Sequence, residues 1–197
     1  MNGILTPDKF FSDEEYKALM KILKDSAEIA AMKGRIKPIR DYMIIDIALN
    51  SGLRVSEIAN LKVEDLHITK GNSQIFIREG KGGKSRLVMI GKDLRRHLKK
   101  FLTSQHTESP YLFISERSPQ MTTTAIQKVF KFWAKKAGLP SHHSIHSCRH
   151  TYAVRLYKSS GNNLRLVQKQ LAHSSISTTQ VYADVVDSDV QEAVDKL

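Results

Sequence analysis

The sequence predicts a mainly α-helical protein with a small antiparallel β-sheet, an α+β fold. Through most of the 197 residues, apolar side chains recur at intervals of three or four, which is the helical pattern. Between about residues 73 and 90 the chain instead shows two β-prone segments joined by the glycine-rich turn GKGGK. With the strands confined to this stretch, a parallel βαβ fold is not expected.

Two helices and a short third are predicted before the hairpin. Ser12 and Glu15 form a capping-box pattern ahead of apolar residues at helical spacing, so a helix begins there. A second, apolar helix runs from about 40 to 50 and stops at Ser51 and Gly52. The segment SEIANL then begins a short helix, with Ser56 as its predicted cap.

The hairpin and the remaining helices follow in order. SQIFIRE and SRLVMI are segments of alternating character, and GKGGK between them predicts an antiparallel hairpin. Beyond it the chain returns to helix, and two of the later helices close at or near Gly138 and Gly161. The predicted helices cover 92–103, 122–137, 147–158 and 164–172, with short pieces after them.

The composition favours a polyanionic partner such as nucleic acid. Lysine and arginine number 31 against 20 acidic residues, a formal net charge of +11. No apolar run approaches the ~20 residues that span a bilayer, and the N-terminus lacks a signal-peptide pattern, so we expect a soluble protein. The single cysteine, Cys148, allows no internal disulfide and fits a reducing, intracellular compartment.

Several residues could carry chemistry, although each alone has an ordinary explanation. Arg54 lies between a helix end and a helix start, where an anion could bind, but taken alone a simple surface or structural arginine is favoured. Lys81 and Lys84 lie in the hairpin turn, where solvated lysines are common. Tyr182 follows a run of Ser and Thr and could simply fill the core.

The segment HHSIHSCRHTYAV is denser in such residues. His146 lies three residues before Arg149 and four before His150, so the three can share one helix face. A zinc site is a weaker hypothesis, because the chain has no cysteine pair and no matching acidic ligand, and we expect no metal or cofactor. The residues weighed for such a site are His142, His143, His146, Cys148 and His150.

An aromatic and basic segment precedes it. Phe130, Phe132 and Trp133 could stack on bases, but we favour core packing, with the neighbouring lysines on the outer face of the helix.

Taken together, two arginines, a lysine, two histidines and a tyrosine can cut a phosphodiester by covalent transesterification without metal. Arginines neutralise the oxygens of a pentacovalent phosphorane. A lysine can protonate the leaving alkoxide, and a histidine can assist proton movement. With a reference pKa near 10, about one tyrosine in a thousand is ionised at pH 7, so the site must supply about 4 kcal/mol.

In these residues the chain resembles the catalytic domain of the tyrosine recombinases, also called the phage integrase family. The resemblance covers the chain from about 40 to 186 and follows the family's order. The matching stretches are SGLRVSEIANLKVEDL, GKGGKSRLVMI, HSIHSCRHTYAVRL and LVQKQLAHSSISTTQVYADV.

The resemblance implies a role for each matching position in the first two stretches. Arg54 would be the first catalytic arginine, with Glu57 supporting it from the following turn. Lys81 would be the general acid for the 5′-hydroxyl, ranked ahead of Lys84.

The later stretches supply the rest of the implied site. In the H-x-x-R motif, Arg149 would clamp the phosphate and His146 would assist transfer of the nucleophile's proton, with His150 as an accessory residue. His173 would contact a non-bridging oxygen, and Tyr182 would attack to form a 3′-phosphotyrosyl link. The residues predicted to bind DNA are Lys84, Arg86, Lys128, Lys131 and Lys135.

Two positions depart from the family pattern. Ala172 stands where glycine often precedes the second histidine, so we expect a negative φ there. Cys148 stands where leucine is usual, and we expect it to be a small buried hydrophobe.

The predicted organisation is a single catalytic domain. It comprises a helical lead-in (1–39), a motif-bearing core (40–186) and a C-terminal tail helix (187–197) that docks on a neighbouring protomer or on its own domain. No N-terminal core-binding domain is expected within the chain, so we expect weak, salt-sensitive DNA binding.

The predicted function is site-specific recombination of double-stranded DNA without metal or ATP. The expected state is a monomer in solution and a tetramer in synapsis, acting in the cytoplasm on the nucleoid. The alternatives are type IB topoisomerase-like strand relaxation and a catalytically silent DNA-binding or regulatory module on the same fold.

Overall fold

The computed structural model describes residues 7–69, 73–78, 85–105, 108–116, 118–172, 179–183 and 194. Most of this part of the chain is helical, and a small antiparallel sheet completes it, as the sequence predicts. The helices are α1 (Asp13–Met32), α2 (Ile36–Ser51), α3 (Val55–Ala59), α4 (Lys92–Ser104), α5 (Thr123–Lys136), α6 (Ile145–Ser159) and α7 (Leu164–Leu171). The strands are β1 (Leu66–Ile68), β2 (Ser73–Ile77) and β3 (Arg86–Met89), and residues 179–183 are also helical.

The start of α1 confirms the predicted capping box. The Ser12 hydroxyl accepts the Glu15 N–H at 3.2 Å, and the Glu15 carboxylate accepts the Ser12 N–H at 2.9 Å. The prediction that Ser56 caps α3 is wrong, because the helix begins at Val55 and its cap is Arg54, two residues before Ser56. There the Glu57 carboxylate accepts the Arg54 N–H at 2.8 Å, which is the contribution that the glutamate at N3 makes to a capping box.

The sheet has the order β1-β2-β3, with both pairs antiparallel. The predicted hairpin strands pair in the register that places Ile77 opposite Arg86. The turn GKGGK lies outside the described residues. β1 was not predicted, because a strand of three residues carries too short an alternation to stand out from its surroundings.

Helix α2 forms the centre of the core. Every residue from Met43 to Leu49 is buried, so the helix is covered on all sides and its polar Asp46 must be bonded internally. It packs against α1, α4 and α6 and places its C-terminal end, where Arg54 follows, deep in the protein.

A second, smaller cluster of buried residues joins the later elements. It contains Tyr182 and Ala183 from the helical residues 179–183, together with side chains of α6 and α7. The α6 and α7 members are Ala153, Val154, Tyr157, Val167 and Leu171. This packing fixes the tyrosine ring beside α6.

The aromatic segment on α5 follows the prediction in part. Phe130 and Trp133 belong to the core, but Phe132 is 52% exposed, so core packing is wrong for that ring. Phe132 lies on the outer face of α5 with Lys136, whose Nζ is 4.8 Å from its ring centroid. Within the described residues, no helix is long and apolar enough to cross a bilayer.

Candidate active site

The first part of the site is the sharp turn between α2 and α3. Gly52 ends α2 with φ +67°, a left-handed conformation that glycine adopts without strain. A Cβ at Gly52 would lie 2.5 Å from Cδ1 of Tyr152 and 2.8 Å from Cδ2 of Leu171. Glycine therefore permits both the turn and the close approach of α6 and α7, and it directs the chain to Arg54.

Arg149 joins this turn to two other elements. Its side chain is buried on α6, where Nη1 donates to the Gly52 carbonyl and Nη2 donates to the Leu171 carbonyl at 2.9 Å. These carbonyls are free to accept because they lie at the C-terminal ends of α2 and α7. Burial, and then the positive charge of Arg54, lower the pKa of Arg149 to about 10, so it stays charged at neutral pH.

The end of α7 corrects one prediction. Ala172 has φ +51°, so the expectation of a negative φ is wrong. Its N–H donates to the Lys169 carbonyl at 3.2 Å and closes the helix with a left-handed cap. The Leu171 carbonyl, which precedes this cap, accepts from Arg149.

A buried carboxylate, Glu57, holds the first arginine. Its Oε1 accepts from Nη1 of Arg54 at 2.9 Å, and its Oε2 accepts the backbone N–H of Arg54 at 2.8 Å. Arg86 donates to the same two oxygens, at 2.8 and 2.9 Å. Burial alone would raise the pKa of Glu57, but the hydrogen bonds from Arg86 and Arg54 outweigh it and lower the pKa below its ordinary value.

The tyrosine hydroxyl lies beside a histidine of α6. The Tyr182 oxygen is 3.1 Å from Nδ1 of His150, and the tyrosine ring is buried in the second cluster. Burial raises the pKa of Tyr182, whereas the positive charges of Arg149 and Arg54 act to lower it. The phenol is thus kept protonated, in a field that favours the phenolate once its proton leaves.

His146 lies one helical turn before His150, and the two rings meet edge to face with centroids 4.5 Å apart. Desolvation by the surrounding protein lowers the pKa of His146, and the positive charges of Arg149 and Arg54 lower it further. A histidine with a lowered pKa is neutral at pH 7 and can accept a proton. From the sequence, His146 is predicted to be catalytic and His150 accessory, but it is His150 that forms the hydrogen bond with the Tyr182 hydroxyl.

The structure therefore brings together four predicted catalytic and two accessory residues. The catalytic ones are Arg54, His146, Arg149 and Tyr182; the accessory ones are Glu57 and His150. Lys81, Lys84 and His173 lie outside the described residues, as does the predicted tail helix apart from Val194.

The residues predicted to bind DNA differ in their surroundings. Lys128 and Lys135 are exposed on α5. Lys131 is also exposed, but its Nζ donates to the carbonyls of Ser141 and His143 at 2.7 and 2.6 Å. The Arg86 side chain is only 13% exposed and is engaged with Glu57. DNA contact by these residues stays a prediction.

The histidine and cysteine cluster does not converge on a common point in the described chain. His143 is buried, with its ring edge-on to Phe11 and Nε2 3.3 Å from a Glu15 oxygen. Cys148 is fully buried, which confirms the prediction, and burial raises the pKa of its thiol so that it is a poor nucleophile. Among the described residues, no group of three or more His, Cys, Asp and Glu side chains could hold a metal ion.

Chemically, the arrangement can bind and transfer a phosphoryl group. Two guanidinium groups supply positive charge and N–H donors, and a phenol with an adjacent imidazole supplies a nucleophile and a proton acceptor.

Comparison with known proteins agrees with this geometry. The model of the phage integrase family matches residues 9–189. Tyrosine recombinase XerA of Pyrococcus furiosus is 33% identical over 195 residues, covering 97% of this chain and 62% of the relative. Tyrosine recombinase XerC of Proteus mirabilis is 36% identical over 191 residues, covering 91% of this chain and 58% of the relative.

Solved structures give the same picture. A XerA recombinase is similar with a TM-score of 0.73 and 29% identity, over 95% of this chain and 62% of that one. The XerH site-specific recombinase bound to a palindromic difH substrate, in a post-cleavage complex, gives a TM-score of 0.78 and 26% identity, over 98% and 53%.

This chain accordingly spans less than two thirds of the length of these relatives. Because the family model extends over nearly the whole chain and the arginine, histidine and tyrosine residues of its motifs meet at one site, this protein belongs to the phage integrase family.

Proposed function

We propose that the chain carries the catalytic centre of a site-specific DNA recombinase that cuts and rejoins strands through a 3′-phosphotyrosyl intermediate. The observation that carries this proposal is the hydrogen bond between the Tyr182 hydroxyl and Nδ1 of His150, within the electrostatic field of Arg149 and Arg54. The relatives named as tyrosine recombinases support it.

The first step forms one bond and breaks another. The Tyr182 oxygen attacks the scissile phosphorus, and the bond from phosphorus to the 5′-oxygen breaks. The phenolic proton passes to His150 Nδ1, and the 5′-oxygen leaves with a proton that the resemblance assigns to Lys81. Because phosphotyrosine replaces one phosphodiester with another, the bond energy is conserved and a 5′-hydroxyl can reverse the step without ATP.

The two arginines, Arg54 from the turn after α2 and Arg149 from α6, stabilise the transition state. Arg149 is fixed by two helix-end carbonyls, and Arg54 is fixed by Glu57, so neither must reorganise when charge develops on the non-bridging oxygens. His146, neutral at pH 7, is available for a hydrogen bond to the same phosphate or for onward proton transfer.

Strand exchange sets the expected assembly. Exchange between two duplexes requires four strands to be cut. Because each copy of the chain would supply one nucleophile, Tyr182, we propose a tetramer in the synaptic complex. XerH is described in a complex with its difH substrate, which supports a DNA partner for this chain. We further propose that it acts in the cytoplasm, on the nucleoid.

The test is covalent trapping on DNA of unknown target sequence. Fragmented genomic DNA carrying random nicks is incubated with the protein at low salt, denatured, and DNA linked to protein is recovered and sequenced. We expect the wild type to recover discrete sites and Tyr182→Phe, which lacks only the hydroxyl, to recover none. DNA binding without any adduct would instead favour the silent DNA-binding alternative.

A second arm separates recombination from topoisomerase-like relaxation. A plasmid carrying two copies of the recovered site is incubated with the wild type. Rearranged products with exchanged partners support recombination, whereas relaxed circles with unchanged connectivity support the topoisomerase-like alternative.

A further inference from the structure

One carboxylate serves two arginines that come from different parts of the chain. Glu57 on α3 accepts four hydrogen bonds, two from Arg54 and two from Arg86, all between 2.8 and 2.9 Å. A carboxylate has about four lone-pair positions, so these donors saturate it. The Glu57 side chain is 3% exposed, which means that water contributes little to its solvation.

Arg86 occupies a particular place in the sheet. It is the first residue of β3, paired with Ile77 of β2, and its guanidinium reaches back to α3. Both of its terminal nitrogens fork onto the two Glu57 oxygens, a geometry that lysine cannot reproduce. In the sequence it lies two residues after the GKGGK turn and five residues after Lys81.

The sharing of Glu57 affects how Arg54 can act. Glu57 carries one negative charge, and two arginines oppose it, so the cluster retains a net positive charge. Without Arg86, the carboxylate would be balanced by Arg54 alone, and the two would cancel. A guanidinium neutralised in this way attracts a phosphate less, and a carboxylate with empty lone pairs would compete with the phosphate for its N–H donors.

We propose that Arg86 is a positioning residue for the strand-transfer reaction. It donates hydrogen bonds to Glu57 and balances its charge, so that the positive charge of Arg54 is not cancelled and its guanidinium stays oriented for the scissile phosphate. This assigns to Arg86 a role through Glu57 and Arg54, in place of the direct DNA contact expected from the sequence. The role of Arg86 in strand transfer rests on the proposed function, whereas its electrostatic effect on Glu57 and Arg54 does not.

The first test needs no activity. The pKa of the Glu57 carboxyl is followed by NMR through its side-chain carbon in the wild type, in Arg86→Ala and in Arg78→Ala. Arg78 is a matched control because it lies beside the same hairpin and pairs with Glu64 and Asp65, without contact to Glu57. We expect the pKa of Glu57 to rise in Arg86→Ala and to stay unchanged in Arg78→Ala. An unchanged pKa in both variants overturns the inference.

The second test separates positioning from folding and from DNA binding. Single-turnover adduct formation is measured on a trapped site with an ordinary scissile phosphate and with a methylphosphonate, in which a methyl group replaces one charged oxygen. If Arg86 acts by preserving the charge of Arg54, removing the substrate charge should remove much of the need for it.

We expect Arg86→Ala to form the adduct at least about 30-fold more slowly than the wild type on the phosphodiester, with DNA affinity changed less than about 3-fold. On the methylphosphonate, the ratio of the wild-type rate to the Arg86→Ala rate should fall below about 3-fold. On the phosphodiester, the rate of Arg86→Lys should lie between those of the wild type and Arg86→Ala. An equal defect on both substrates, or a loss of affinity that accounts for the slower rate, overturns the inference. Failure of the wild type to form any adduct would count against the proposed function alone, and the carboxyl titration would then decide the role of Arg86.

Discussion

Replacement of Gly52 by alanine should destabilise the protein through two separable effects. The first is backbone strain, because φ is +67° and a side chain at this φ costs about 1 kcal/mol. The second is crowding, because the new Cβ would lie 2.5 Å from Tyr152 and 2.8 Å from Leu171. Such contacts are closer than packed carbon atoms allow, so the neighbours must move.

The crowding cannot be relieved cheaply. The Tyr152 hydroxyl accepts a hydrogen bond from Gln170 at 3.0 Å, and Leu171 is fully buried in the second cluster. Overpacking of a well-packed site costs about 1–3 kcal/mol, so together with the strain we expect Gly52→Ala to lower the free energy of unfolding by about 2–4 kcal/mol. Because the Gly52 carbonyl accepts from Arg149, the same shift should also slow adduct formation.

Gly34→Ala is the control that isolates the strain. Gly34 has φ +63°, nearly the value at Gly52, but a Cβ there would meet nothing within 4 Å. Urea unfolding should therefore show a loss of about 1 kcal/mol or less for Gly34→Ala, since alanine also reduces the entropy of the unfolded chain. The difference between the two variants measures the crowding. If both lose the same free energy, the packing argument at Gly52 is refuted.

Three further predictions follow from the same site. Ala172→Gly should raise the free energy of unfolding in urea by about 0.5 kcal/mol, because glycine removes strain at φ +51° and only part of that gain is lost to unfolded-chain entropy; a decrease would contradict this. His150→Phe keeps a ring but removes Nδ1, so adduct formation should slow by about 100-fold, and a rate near that of the wild type would exclude His150 as the proton acceptor. Burial raises the pKa of Tyr182, so the ionised fraction of the phenol increases throughout the range from pH 6 to pH 9. Single-turnover adduct formation should therefore accelerate over this range, and a flat profile with chemistry rate-limiting would rule out removal of the tyrosine proton as part of the slow step.

Much of the fold could be predicted because its signals are local. The capping box at Ser12 and the glycine after α2 depend on residues a few positions apart, and both are found in the structure. Ala172 shows the limit of such reasoning. Its left-handed φ is unfavourable locally, and no neighbouring residue indicates that the carbonyl of the preceding Leu171 is bonded by Arg149, 22 residues away.

The same distinction applies to the site. The motif residues Arg54, Arg149 and Tyr182 could be found because each stands in a recognisable stretch of sequence. The partners that set their chemistry could not be found in this way. Arg86 lies 29 residues from Glu57, and the sequence offers no reason to prefer that pairing over a surface role for one more basic residue in a basic segment. Only the fold reveals that β3 begins beside α3. A buried carboxylate that would otherwise be costly is thereby shared between two arginines. Because Arg86 balances the charge of Glu57, the carboxylate can hold Arg54 in place without cancelling its positive charge.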